Sequence, residues 1–208
     1  MFFNLGNDFV KNELLNYIQL ICLSQNKKLY LSKNNLNYKR IDLISSIFNN
    51  SKFIIPIREP LQHAYSLLNQ HLNFCKLQKK DDFIKRYMNY LGHNEFGLNH
   101  KPWNAPKNFK KLEDLDYWLE QWFLFYQNIF DKYEFYQNCH FIIYENLENP
   151  NYLNAMCNKI GVKKISHLDN NFFKNSNKKN IISDYSKNIY DITYNLYFKI
   201  KKKFKCII

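Results

Sequence analysis

Residues 51–74 read SKFIIPIREPLQHAYSLLNQHLNF, and their order decides the class of fold to expect. Phe53 to Ile57 is a continuous apolar run, the pattern of a strand buried on both faces. Pro56 inside it points to a sheet edge or a strand ending, because proline cannot donate to a ladder. Glu59-Pro60 then opens a helix with proline at its first position. Leu61, Ala64, Tyr65, Leu68 and Leu72 give that helix an apolar stripe. A buried strand running straight into an amphipathic helix is the first half of a strand–helix–strand unit.

Working outward, the same alternation recurs. Residues 8–24 predict a helix with Phe9, Leu14, Leu15, Ile18, Ile21 and Cys22 near one stripe. Leu29 to Leu31 predicts a short strand, and Tyr38 to Phe48 a helix. Downstream, residues 80–91 predict a helix, 92–111 a long loop, and 112–133 the strongest helix of the chain. His140 to Tyr144 predicts a third strand. Asn149-Pro150 opens a helix that Gly161 stops. Residues 165–184 are polar and irregular, and Ser186 to Phe204 predicts a final helix running into lysines. Strands alternating with helices imply an α/β fold with a parallel sheet and right-handed crossovers.

Composition bounds the rest. With 208 residues, 46% hydrophobic and 18% aromatic, the chain can bury a substantial core in one domain. That domain is expected to span residues 1–208, with an N-terminal helix (1–28), a core (29–75), a helix and long loop (76–111) and a helix-rich C-terminal half (112–208). Four glycines and five prolines exclude collagen-like and flexible-linker readings. No apolar run is long enough to span a bilayer and no signal peptide is recognisable, so a cytoplasmic location is expected. Five dispersed cysteines form no C-x-x-C pair and read as free thiols. The net charge of +12 attracts anions, but a chain rich in Asn, Lys, Ile, Tyr and Phe carries much of its lysine without specific purpose. Arginine is more telling. Only Arg40, Arg58 and Arg86 occur, and a planar fork is what a phosphate selects.

The chemistry gathers between Leu29 and Phe74. In a parallel sheet, ligands sit beyond the carboxyl ends of the strands. Lys33 and Arg58 each follow a predicted strand, and one crossover brings two such ends side by side. The helix opening at Pro60 adds N–H groups and a positive dipole end. Ser66 lies off the apolar stripe, on the side of Gln62, His63 and Gln70. Together these make a site for a phosphorylated anion.

The stretch KKLYLSKNNLNYKRIDLISSIFNNSKFIIPIREPLQHAYSLL, residues 27–68, resembles the core of the sulfotransferases that use 3′-phosphoadenosine 5′-phosphosulfate. That family shows a strand-end Lys, a helix, a strand entry, then Arg-[Asp/Glu]-Pro with a Ser eight residues after the Arg. CHFIIYENLENPNYLNAMCNKIGV, residues 139–162, resembles the family's later I-x-Y-E-x-L strand and helix. Residues 174–179 resemble a late cofactor-contacting loop. In all, the resemblance covers roughly residues 29–75 and 112–180. It implies a P-loop-NTPase-like parallel sheet flanked by helices. It implies Arg58 and Ser66 on the donor's 3′-phosphate, with Ser176 and Lys178 as further donor contacts, and Lys33 beside the bridging oxygen. It implies in-line sulfuryl transfer to a hydroxyl acceptor (carbohydrate, protein or small molecule), with no metal and no specific nucleic acid.

Two departures stand out. The family's Gly-Thr-Thr type loop for the 5′-phosphosulfate has no counterpart; Gly6 is the only early glycine. The expectation is an N-terminally incomplete sulfotransferase that transfers little sulfate alone. Asn35 stands where some members place a catalytic His two residues after the Lys, so the base is sought in the long loop, at His93, Glu95 or His100. Two alternatives remain open: a non-catalytic binder of phosphonucleotides or acidic glycans that keeps the 3′-phosphate cleft, and a basic nucleic-acid-binding protein.

Overall fold

The computed structural model of the chain describes residues 8–103, 111–162 and 184–204. The chain divides into two compact units, Met1–Phe53 and Ile54–Ile208.

The first unit holds α1 (Asp8–Ser24), a 3₁₀ turn at Asn35–Arg40 and α2 (Ile41–Ile47). No residue of α1 is fully buried, and Phe9 is 67% exposed. The strand expected at Leu29–Leu31 does not form: the segment is irregular and all three side chains are exposed. Three apolar residues between Lys27-Lys28 and Ser32-Lys33 are too few to hold a place in a sheet. The turn that follows is started by Asn34, whose side chain accepts the Leu36 N–H at 2.8 Å.

The second unit is helix-rich around a small parallel sheet. Its elements are β1 (Phe53–Ile57, which begins on the last residue of the first unit), α3 (Pro60–Lys80), α4 (Asp82–Tyr90), α5 (Leu115–Tyr133), β2 (Cys139–Ile143), α6 (Pro150–Ile160) and α7 (Lys187–Phe204). β1 and β2 pair in parallel, so the chain between them is one long crossover through α3, α4 and α5. In a two-stranded sheet both strands are edges, which explains how Pro56 is accommodated. Every residue of β2 is buried, whereas Ile54 and Pro56 of β1 are exposed.

α5 is the centre of this unit. It packs against α3 on one side and α7 on another. Leu115 and the unbroken run Tyr117–Trp122 are buried, as befits a helix enclosed on most of its circumference. Trp118, Leu119, Trp122 and Phe130 are 1% exposed or less. Trp118 packs with Ala64, Leu67 and Leu68 of α3 and with Phe96. α7 turns Thr193, Leu196, Tyr197 and Ile200 inward, and Phe204 stacks on Phe141 of β2 at 4.7 Å. α6 begins on the Asn149 side-chain cap and stops at Gly161, whose φ of 74° is a left-handed cap. Among the described residues, no helix is long and apolar enough to cross a membrane.

The loop after α4 is bound rather than free. The buried amide of Gln78 accepts the Leu98 N–H at 2.7 Å and reaches Met88 Sδ at 3.0 Å. His71 Nδ1 accepts the Gly97 N–H at 3.3 Å. Gly97 has a φ of +91°, and a Cβ there would lie 2.7 Å from Gln78 Nε2. Gly97→Ala therefore strains the backbone and displaces a buried, hydrogen-bonded amide. We expect a loss of about 2 kcal/mol, read as a lower urea midpoint at unchanged m-value.

Candidate functional site

Parallel pairing delivers the carboxyl ends of β1 and β2 to the same edge. Beyond β1 come Arg58 and Glu59; beyond β2 comes a 3₁₀ turn, Tyr144–Asn146. Residues 86 apart in sequence meet there. The Arg58 guanidinium lies 5.4 Å from the centre of the Tyr144 ring. Glu145 Oε1 accepts the Glu59 backbone N–H at 2.7 Å, and its Oε2 accepts the Tyr197 hydroxyl at 3.0 Å. One carboxylate thus ties the end of β1, the turn after β2 and α7 together. Tyr126 of α5 donates its hydroxyl to the Pro56 carbonyl at 2.8 Å.

Glu59 caps the helix it precedes. Its Oε2 accepts the Gln62 N–H at 2.7 Å and its Oε1 the Leu61 N–H at 3.3 Å. This corrects the expectation of open N–H groups at the start of α3: the chain's own carboxylate sits where an external anion was placed. Burial pushes the Glu59 carboxyl above its ordinary value; its backbone hydrogen bonds pull it down, and the Glu145 charge raises it further.

One turn into α3, His63 is neutral for physical reasons. Burial, reinforced by the Arg58 charge, lowers its pKa to about 4. Its Nδ1 is buried with no hydrogen-bond partner among the described residues, and its ring lies 6.3 Å from that of Tyr126. Burial and the nearby Glu145 also push the Tyr126 and Tyr197 phenols well above the ordinary range. The edge therefore holds one guanidinium, two carboxylates, a neutral imidazole and protonated phenols.

The sequence candidates distribute unevenly. Arg58 is at this edge and half-buried. Ser66 is exposed on α3, roughly 9 Å along the helix from Pro60. Lys33 belongs to the N-terminal unit, follows an irregular segment rather than a strand, and donates to Asn35 Oδ1 at 2.8 Å. His93 and Glu95 lie in the loop after α4, with Nδ1 and Oε2 3.4 Å apart. That loop is fastened at His71 and Gln78, roughly 16 and 27 Å along α3 from Pro60, so it does not share the Arg58 edge. His100 is a structural staple. Its Nδ1 donates to the Glu95 carbonyl at 2.7 Å, which leaves Nε2 to accept from the Tyr117 hydroxyl at 2.6 Å. Ser176 and Lys178 lie outside the described residues. No group of three or more His, Cys, Asp or Glu side chains able to hold a metal occurs among the described residues.

From sequence, Glu145 after Tyr144 reads as an acceptor contact or a helix cap, and Glu59 and Tyr197 carry no candidate role in the site. Only the Glu before Pro60 carried a signal, since an acidic residue just ahead of a first-turn proline is a capping pattern.

No protein-family model, curated protein or solved structure matches the chain.

Proposed function

We propose that the strand-end edge binds the 3′-phosphate of an adenosine bisphosphate, and that the chain is a sulfotransferase domain using 3′-phosphoadenosine 5′-phosphosulfate as donor. One observation supports this above the others: Arg58 stands beyond the carboxyl end of a parallel strand, over Tyr144 and near the half-buried His63. A guanidinium held there offers a bidentate grip on phosphate, and Ser66 supplies a hydroxyl from the adjoining helix. Since Glu59 occupies the start of α3, the grip rests on side chains alone.

In this reading the sulfuryl group moves in line. The bond from sulfur to the donor's 5′-phosphate oxygen breaks as the bond to the acceptor oxygen forms, and adenosine 3′,5′-bisphosphate departs. The acceptor's proton passes to a base. Glu145 positions the edge by holding the Glu59 N–H and the Tyr197 hydroxyl.

The test is a calorimetric titration with adenosine 3′,5′-bisphosphate. Arg58→Ala is expected to weaken binding about a hundredfold and Arg58→Lys less, because lysine keeps the charge but loses the fork. Equal affinity in the wild type and Arg58→Ala, or none in the folded wild type, overturns the reading. A second reading, a binder without turnover, draws on the engagement of the Lys33 ammonium by Asn35. Nucleotide binding with no transfer from labelled donor to any hydroxyl acceptor selects it.

A further inference from the structure

α4 carries two apolar faces, and only one is used. Met88 is 8% exposed and points inward, where Gln78 reaches its sulfur at 3.0 Å; Ile84 is half-buried beside it on the helix. The other face bears Phe83, Tyr87, Tyr90 and Leu91, which are 63, 52, 87 and 46% exposed. Their i, i+4, i+7, i+8 spacing sets them on one stripe, and Phe83 stacks on Tyr87 at 5.7 Å. Scattered exposed apolar residues are ordinary, but a contiguous aromatic stripe on a single helix is not.

Cations lie near the stripe: Lys79 and Lys80 end α3, and Arg86 lies beside it on α4, while Lys85 is on the opposite side of that helix. The acidic residues here are already engaged. Asp82 pairs with Arg86 at 3.1 Å, and the Asp81 side chain caps α4 by accepting the Phe83 N–H at 2.8 Å. Lys79 and Lys80 are exposed and make no ion pair with another described residue, so the surroundings of the stripe are net positive.

We propose that this face of α4 docks the protein onto an anionic lipid bilayer. Area and charge select that occupant. Weighted by their exposures, the four side chains offer roughly 450 Å² of outward apolar surface. A stable pairing of two copies buries about 800 Å² on each. Two copies meeting through this face would also bring their lysines together. A bilayer needs no matching shape: the rings sink to the headgroup level, and the lysines meet lipid phosphates and carboxylates.

The test is flotation of the full chain with vesicles of phosphatidylcholine alone or phosphatidylcholine with phosphatidylserine, at low and at physiological salt. The wild type is expected to float with the anionic vesicles, less at higher salt, and only weakly with the neutral ones. The triple variant Phe83→Ser, Tyr87→Ser, Tyr90→Ser changes exposed side chains, so its circular dichroism should match the wild type; its bound fraction is expected to fall about tenfold. Lys79→Glu with Lys80→Glu is expected to lose the preference for phosphatidylserine. The basic end of α7, at Lys199–Lys203, is intact in both variants, so vesicle binding that survives in the triple variant assigns attachment to that end and overturns the proposal. Failure of the wild type to float overturns it as well. So does a concentration-dependent dimer in sedimentation velocity that the triple variant abolishes without changing flotation, which makes the face a contact between copies. None of these outcomes depends on nucleotide binding at Arg58.

Discussion

Replacing Trp118 with alanine is expected to cost 3–5 kcal/mol, roughly the loss found when a fully buried aromatic ring is cut to a methyl. Domains of this kind are commonly stable by only about 5–15 kcal/mol, so the variant stands near the limit of folding. The reason is position more than size. Trp118 is completely buried and meets four rings at once: Tyr117 at 5.1 Å, His71 and His100 each at 5.3 Å, and Phe96 at 5.7 Å. Its Nε1 also donates to the Leu112 carbonyl at 2.9 Å, which fastens the start of α5. Removing the ring undermines α3, α5 and the loop after α4 together. Urea unfolding followed by circular dichroism reads the global loss. Hydrogen exchange reads its location: the Gly97 and Leu98 amides, bonded to His71 and Gln78, are expected to lose protection before those of β2. Trp118→Phe, which keeps a ring, should retain about half of the lost stability. A midpoint for Trp118→Ala within about 1 kcal/mol of wild type would show that the surrounding rings close over the gap.

That same cluster shows where sequence reading succeeds and where it stops. Phe53–Ile57, the helix opened at Pro60 and the left-handed cap at Gly161 are written in local chemistry: a run with no polar residue, a ring that presets φ, a missing Cβ. Such signals survive whatever surrounds them. The inner face of α3 is different. Apolar residues mark Leu72 for burial, yet Leu72 is 41% exposed and its neighbour His71 is 2% exposed. What covers α3 there is the loop carrying Gly97, and a backbone N–H seeking an acceptor favours imidazole over leucine. Residue type alone cannot report which partner arrives. The strand expected at Leu29–Leu31 fails for a related reason, since a strand exists only with a neighbour to pair with. The acidic side of the candidate edge was hidden because Glu145 and Tyr197 meet only once β2 and α7 are placed. Arg58 was legible because so few arginines interrupt the lysine background.

Stability is expected to fall as pH drops from about 6.5 toward 4, and His63 sets most of that slope. The sign follows from its environment. In the unfolded chain the imidazole titrates near its ordinary value; in the folded chain burial and the Arg58 guanidinium lower it to about 4. Above 6.5 both states are neutral and nothing is lost. Below it the unfolded chain takes up a proton that the folded chain refuses, so unfolding gains ground until the folded pKa is reached. The full span amounts to roughly 3 kcal/mol. His71 and His100 act in the same direction, each lowered chiefly by burial. Glu59 acts in the opposite direction, because its carboxyl is raised and its protonation relieves a buried charge; that relief is felt mainly toward the acid end of the window. At the alkaline end the buried phenols take over. Tyr117 is raised to about 12 and Tyr126 and Tyr197 are raised as well, so stability is lost again as pH climbs above 10 and the unfolded chain sheds those protons first. Urea midpoints measured across this range should trace a plateau with two falling limbs. His63→Gln removes the group without removing the helix and is expected to flatten the acid limb while leaving the alkaline one unchanged. An acid limb equally steep in His63→Gln would transfer the effect to His71 and His100, and with it the weak point in acid from the Arg58 edge to the loop after α4.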